Sequence, residues 1–374
     1  MSAPAAVVHE WLTVPGGSEK VALRILRLLG QADLYAAVYE PKAFPELAGI
    51  PVHTTFLDRL PGARAHYQRL LPLMTAAYEQ LDLSPYELVV SSSHSCAKDV
   101  ITRPDTFHLC YCHTPMRHAW DPAKLRDESV GPLGRVLLPP LLARLRRQDV
   151  LGAARVDRFV ANSSHVANRI RKYYRRRATV VHPPVEVDHF LARPRTLGDF
   201  YLVVSRLVPY KRVDLAVEAC TRLSRPLTVV GDGRYRERLE RAAGANVTFL
   251  GHADLPALVE LMTGCRALLF PGEEDFGMVP VEAQAAGAPV IAYGVGGARD
   301  SVIDGSTGVL FGEQTVESLC QAIERFERLS FDPDVARENA ARFGPDRFDR
   351  ELSAAIDAGP EDLAQYPSRE PLHA

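Results

Sequence analysis

The segment Phe270 to Gly287, FPGEEDFGMVPVEAQAAG, sets two glutamates, Glu274 and Glu282, eight positions apart around a glycine-containing bend. Two chemistries are open to such a pair. Carboxylates flanking a sugar can act as acid and nucleophile in glycoside cleavage, or they can hold hydroxyl groups while other residues promote the bond breaking. The surroundings bear on the choice. An apolar strand runs into the loop, and Pro280 sits where a helix can start, since a proline at the first helical position gives up only an amide that has no helical partner. Gly287 reads as the stop of that helix. The free amides of Gly277, Met278 and Val279 then face outward and form a seat for a phosphate. Glu282 falls in the first turn, where the helix dipole favours a carboxylate with or without a ligand. Glu274, between Glu273 and Asp275, reads equally well as a solvated loop acid.

A second cluster lies upstream in VSRLVPYKR, Val204 to Arg212. Arg206 and Lys211 leave the carboxyl end of a strand together, and a guanidinium fork beside an ammonium suits a diphosphate. A merely solvated basic helix start would run against the dipole. In VVGDGRYRERL, Gly231 and Gly233 mark a tight turn that either admits a nucleotide or is plain turn chemistry. Two loops stand out in the first half. WLTVPGGSEKV places Gly16 and Gly17 before a helix capped by Ser18, so that exposed amides again point outward. CYCHTPMRHAWD places His113 at the carboxyl end of an apolar strand, with Arg117, His118 and Asp121 behind it. A histidine there, like His94 in SSSHSCAK, serves either as a structural hydrogen-bonder or as a catalytic group.

The elements that must position these residues alternate short apolar runs with helical patterns, the rhythm of parallel sheets. Strands are expected at Ala5 to Val8, Leu34 to Val38, Glu87 to Ser91, Thr106 to Cys112 and Arg158 to Ala161. A second series is expected at Phe200 to Val204, Leu227 to Val230, Val247 to Leu250, Ala267 to Phe270, Pro289 to Ala292 and Gly308 to Phe311. Pro183 to Asp199 is proline-rich and weakly periodic and reads as a linker. The fold class is therefore α/β: two doubly wound, Rossmann-like domains over residues 1–182 and 183–344, facing a cleft where the carboxyl ends of both sheets meet.

Composition narrows the function classes. A chain of 374 residues is long for one core. A net charge of −2 gives no polyanion signature, which argues against nucleic acid as a partner. Six cysteines without CxxC spacing fit a reducing compartment, and no window is long and apolar enough to span a membrane. Gly294 to Arg299, GVGGAR, does not fit GxGxxG and gives no nicotinamide signal. Asp332 to Asp334 lies away from the strand ends and gives no metal site.

Taken in order, PGGSEK, CHTPMRHAWD, ANSSHVANRI, VVHPPVEVDHF, SRLVPYKRVD, VVGDG, NVTFLGH and EEDFGMVPVEAQAAGAPVIAYGVGG resemble a retaining glycosyltransferase of family 4 with the GT-B fold, through nearly the whole chain. The wording is nearest to bacterial mannosyltransferases that build surface polysaccharides from GDP-mannose. The resemblance implies that Glu274 contacts donor-sugar hydroxyls, Glu282 the ribose, and Arg206 and Lys211 the diphosphate, with His113 near the reacting sugar. The implied catalytic set is Glu274, His113, Arg206 and Lys211. The implied donor-binding set is Gly16, Gly17, Arg206, Lys211, Gly231, Leu250, Glu274, Phe276, Gly277, Met278, Val279 and Glu282. A final helix from about 345 to 374 is expected to cross back onto the first domain. Asp275 stands where many relatives carry glycine.

The expected activity is metal-independent, cofactor-free transfer of mannose from GDP-mannose to an acceptor hydroxyl with retained configuration. UDP-glucose as donor, a non-catalytic nucleotide-sugar binder and a glycoside hydrolase are the alternatives. The acceptor is expected to be a carbohydrate or a lipid-linked sugar. Arg59 to Met74, Arg135 to Arg147 and Arg169 to Arg177 mix leucine or tyrosine with arginine, which fits either peripheral contact with an anionic inner leaflet or solvated basic helix faces. The expected location is cytoplasmic, with that peripheral contact as an option.

Overall fold

The computed structural model describes residues 4–121 and 132–360, with side chains over 4–121 and 138–360. Its first sheet has seven parallel strands: β1 (Ala5–His9), β2 (Ala32–Ala36), β3 (Val52–Thr54), β4 (Leu88–Ser93), β5 (Phe107–Cys112), β6 (Arg158–Ala161) and β7 (Thr179–Val180), in the order β3-β2-β1-β4-β5-β6-β7. The second sheet has six: β8 (Tyr201–Val204), β9 (Leu227–Val230), β10 (Val247–Gly251), β11 (Leu268–Phe270), β12 (Val290–Tyr293) and β13 (Gly308–Phe311), in the order β10-β9-β8-β11-β12-β13. All five residues of β1 and all three of β11 are buried, the unbroken apolar run expected of strands covered on both faces. The expected doubly wound class is observed in both halves. The two strands absent from the sequence expectation, β3 and β7, have three and two residues at the sheet edge and only partial burial.

Helices cover both faces. Gly17–Leu29 turns Val21, Ala22, Ile25 and Leu26 inward at helical spacing and stops at Gly30, whose amide bonds back to Leu26 and Arg27. Val185, Val187 and Phe190, inside the proline-rich segment read as a linker, pack into the second-domain core with Phe343. The segment is therefore docked by its apolar residues rather than extended through solvent. The helix Pro345–Asp357 sets Phe348, Leu352 and Ala355 among Val7, Ile25 and Tyr111 of the first domain. Arg24 grips Asp349 of that helix with both arms at 2.8 and 2.6 Å. The part of the expected final helix beyond 360 lies outside the described residues.

Of the basic stretches, Arg169 to Arg177 is partly turned inward: Ile170 and Tyr174 are buried, and Arg176 donates to the carbonyls of Val156 and Asp157 at 2.7 and 3.1 Å. In the helix Pro132–Ala153, Leu142 and Leu145 are buried; the side chains of Arg135 to Leu137 lie outside the described residues. Among the described residues no helix is long and apolar enough to cross a membrane.

Candidate active site

In each sheet the strand order reverses beside the first strand, between β1 and β4 and between β8 and β11. Ligands of doubly wound folds bind at such points, beyond the carboxyl ends of the strands. Gly16 and Gly17 follow β1, His94 follows β4, Arg206 and Lys211 follow β8, and Glu274 follows β11. These candidates gather at the two switch points, while His113 follows β5, Gly231 follows β9 and Leu250 lies in β10.

The acidic loop is built by close backbone approach. Gly277 takes φ 84° and caps the helix Met278–Ala285, a conformation costly for any residue with a Cβ. The helix therefore starts two residues before the expected position. Pro280 is its third residue, where it still lacks only an unneeded amide, and Glu282 is its fifth, in the second turn rather than the first. Gly287, at φ 79°, follows the last turn as expected. From the far side the loop after β12 holds Glu274 in place: Gly297 donates its amide to the Glu274 carbonyl at 2.8 Å. A Cβ on Gly296 would overlap the Glu274 carbonyl, and one on Gly297 would overlap the Phe276 backbone. GVGG, which gave no nicotinamide signal, supports the acidic loop. Gly297→Ala is expected to cost about 1–3 kcal/mol of stability and to lower turnover, whereas Gly312→Ala, with open space around it, stays within about 0.5 kcal/mol. Denaturant unfolding of both variants checks this, and equal stability contradicts it.

The basic loop touches the acidic one. Lys211 forms an ion pair with Glu274, and a Cβ on Gly272 would come within 2.9 Å of the Lys211 carbonyl. Arg206 is exposed and donates to the Tyr210 hydroxyl at 2.9 Å. Gly231, at φ 123°, and Gly233 lie so close to the carbonyls of Ser205 and Leu207 that neither has room for a side chain. Of the two readings of GDG, the contacts here are those of a strut under the Arg206 loop. Leu250, near the end of β10, is 50% exposed, and the neighbouring Gly251 carbonyl receives the Gly231 amide at 2.6 Å.

The first domain closes on this wall. A Cβ on Gly17 would sit 2.7 Å from Met278 Cε, so the Gly16–Gly17 helix start and the start of the Met278–Ala285 helix face each other. Burial pushes the half-buried Glu282 carboxyl above its ordinary range, and Lys20 of the first domain pulls it partly back. Arg117 donates Nε to Asp275 Oδ2 at 2.8 Å, Ser163 donates its hydroxyl to the Asp275 carbonyl, and the Ser164 amide reaches Asp300 at 2.6 Å. Burial opposes ionisation of Asp275, yet Arg117 wins and holds the carboxyl below its ordinary range. Asp275, noted in the sequence only as standing where many relatives carry glycine, is thus a cross-cleft contact of the closed arrangement. Lys20 and the Arg117 partnership were likewise missed.

His113 is 9% exposed. Its Nε2 lies 2.8 Å from Ser92 Oγ, and its carbonyl receives Asn162 Nδ2 at 3.0 Å. Burial, with His94 and His9 nearby, holds its pKa well below the ordinary imidazole value, so at neutral pH it is uncharged. His9, Glu10 and Glu19 were not among the expected site residues; the polar pair ending the run AAVVHE was the available signal. Glu10 ties β1 to the loop after β4, accepting the Ser93 hydroxyl at 2.9 Å and the amides of His94, Ser95, Cys96 and Ala97 at 2.6 to 3.1 Å. Burial would raise its pKa, but His94 and these amides lower it overall.

Comparisons with known proteins bear on the family and the fold. Residues 15–189 match the family model described as Glycosyltransferase Family 4, and residues 193–343 match Glycosyl transferases group 1. The chain carries these two glycosyltransferase domains in a GT-B arrangement. It is 33% identical over 258 residues to a D-inositol 3-phosphate glycosyltransferase of Geodermatophilus obscurus, covering 58% of this chain and 56% of that one. It is 30% identical over 221 residues to the protein of the same name from Mycobacterium leprae, covering 52% and 51%. The chain spans about half the length of the curated relatives it matches. Among solved structures, Anabaena HepE in complex with UDP superposes with a TM-score of 0.69 at 17% identity, covering 95% of this chain and all of that one. The lipopolysaccharide outer core galactosyltransferase WaaB in its apo form gives 0.64 at 17% identity, covering 95% and 99%. At such identities the likeness shows the fold. The resemblance in sequence motifs is borne out at the level of family and fold, while these names carry inositol 3-phosphate, UDP and galactosyl transfer rather than GDP-mannose.

Proposed function

We propose that the chain is a retaining hexosyltransferase that moves a sugar from a nucleoside diphosphate to an acceptor hydroxyl. The observation that carries this reading is the Lys211–Glu274 pair at the second switch point, with the Gly16–Gly17 helix start of the first domain closed against the start of the Met278–Ala285 helix. An anionic leaving group there meets the Lys211 ammonium, the Arg206 guanidinium and two helix starts. A sugar beyond it meets the Glu274 carboxylate.

In the reaction the bond between the anomeric carbon and the diphosphate oxygen breaks, and a bond from the acceptor oxygen to that carbon forms on the same face. The acceptor proton passes to a diphosphate oxygen. Charge grows negative on the leaving group and positive on the ring, and fixed groups aimed at growing charge lower the barrier. Lys211 and Arg206 serve the first, Glu274 the second. Glu282 holds the ribose, and neutral His113 binds the reacting sugar without exchanging a proton. With two cations at the diphosphate no metal ion is required in this reading. The motif wording makes the donor GDP-mannose; UDP-glucose, which a solved neighbour of the same fold holds, is the competing donor. The acceptor is a carbohydrate or lipid-linked hydroxyl, and a phosphorylated polyol is the version drawn from the named relatives.

A panel of GDP-mannose, GDP-glucose, UDP-glucose and UDP-galactose, scored by nucleotide release and thermal shift with and without EDTA, tests this. The expected result is release from GDP-mannose that is unchanged by chelator. Release from UDP-glucose alone overturns the donor, and loss in EDTA restored by Mg²⁺ overturns metal independence. No shift and no release with any nucleotide overturns the reading as a whole.

A further inference from the structure

We propose that Glu19, His9 and Ser92 form a positioning relay that fixes His113 with its proton on Nδ1, so that His113 meets a substrate oxygen as a hydrogen-bond donor. This rests on the sugar-transfer reading for its functional consequence but not for its structural content.

The tautomer follows from which atoms can only accept. His9 Nδ1 lies 3.1 Å from the Ser92 carbonyl oxygen. A carbonyl accepts and never donates, so His9 Nδ1 carries the hydrogen. The same nitrogen lies 3.1 Å from Ser92 Oγ, which therefore also accepts from it. Ser92 is fully buried and its hydroxyl touches one other ring nitrogen, His113 Nε2, 2.8 Å away; its hydrogen goes there, since a protonated Nε2 would leave that hydrogen buried without an acceptor. A ring nitrogen that accepts carries no proton, and a neutral imidazole has one proton to place. It falls on Nδ1. His113 is buried beside His9 and His94, their ring centroids 6.5 and 6.3 Å from its own, and this keeps the ring neutral.

Glu19 anchors the other end of the relay. Its Oε1 is 3.7 Å from His9 Nε2, an atom buried without a hydrogen-bond partner. That is beyond hydrogen-bond reach and within ion-pair distance when His9 is protonated. Burial would raise the Glu19 carboxyl, and His9 overcomes it to hold the group down at about 2. Glu19 Oε2 accepts the Ser18 hydroxyl at 2.9 Å, and a Cβ on Gly16 would lie 2.7 Å from that oxygen. One carboxylate thus braces both His9 and the Gly16–Gly17 helix start, and so couples the ring at the sugar to the loop facing the second domain.

The test is two-dimensional ¹H–¹⁵N multiple-bond NMR of histidine-labelled full-length chain, with His113 identified by the signals lost in His113→Asn. The expected wild-type spectrum at pH 7.5 shows Nδ1 protonated and Nε2 unprotonated. Ser92→Ala is expected to mix the tautomers and lower kcat about tenfold, the effect of one lost hydrogen bond, with donor KM within about twofold. His9→Phe does the same, and His9→Asn, whose amide places an N–H near the position of Nδ1, restores both. Should His9→Phe fail to fold, Ser92→Ala alone carries the test. A wild-type His113 protonated on Nε2 or on both nitrogens overturns the relay, as does an unchanged tautomer in Ser92→Ala. The spectrum needs no substrate. The expected tautomer in a chain that transfers nothing across the donor panel supports the relay and sinks the functional reading, and the converse sinks the relay alone.

Discussion

Lys211→Ala is expected to weaken nucleoside diphosphate binding by roughly 1.5–3 kcal/mol, the worth of a charge-assisted contact, or about 10- to 100-fold in Kd. Arg206→Ala is expected to lose less, because Arg206 is exposed and bonded to the Tyr210 hydroxyl while Lys211 is held between the two loops. The structure adds a second consequence. An ammonium has three hydrogens to offer, so Lys211 can hold Glu274 and a phosphate oxygen together, and removing it leaves the Glu274 carboxylate unpaired beside an anionic ligand. Lys211→Ala combined with Glu274→Gln should therefore bind nucleotide better than Lys211→Ala alone, with a coupling of about 0.5–3 kcal/mol. Titration calorimetry of the three variants with GDP reads this. Additive losses, or an unchanged affinity in Lys211→Ala, contradict the assignment.

The buried strands were legible because a strand covered on both faces writes itself as a run of apolar residues, as β8, β11 and β12 do throughout and β1, β4 and β5 do over part of their length. β7, two residues with one exposed, writes almost nothing. The start of the Met278–Ala285 helix was misplaced because Pro280 was taken for its first residue, whereas the turn is made by Gly277 at φ 84°. Proline tolerates any of the first helical positions, so it marks the neighbourhood of a helix start and not its first residue.

Candidate residues were legible where a strand end and a chemistry-bearing type coincide, as at His113, Arg206 and Glu274. The partners were not. Arg117 and Asp275 are 158 positions apart, and nothing local in either sequence requires the other; their contact exists only because two domains close on one cleft. Lys20 reaches Glu282 by the same route. The structural part of GVGG was hidden for a different reason: its glycines leave room for the backbone of the acidic loop, a role that shows only when both loops are in place.

The two glutamates that open the sequence should fail in different ways. In the proposed reaction Glu274, which pairs with Lys211 at the switch point, holds a ring that becomes cationic as the glycosidic bond to phosphate breaks, so its contact strengthens in the transition state. Glu274→Gln is expected to lower kcat by about 10²–10³-fold while sugar-free nucleotide still binds. In the same proposal Glu282 holds the ribose, an interaction nearly the same before and during bond cleavage, so Glu282→Gln is expected to raise donor KM and nucleotide Kd by roughly tenfold, with kcat little changed. A glycoside-cleaving pair would instead lose kcat heavily on either change. The measurement is steady-state kinetics of both variants beside their affinity for the free nucleoside diphosphate. A kcat defect confined to Glu274→Gln and a binding defect confined to Glu282→Gln is the result that sugar transfer from a nucleotide donor predicts, and equal kcat losses with intact nucleotide binding in both variants would contradict it.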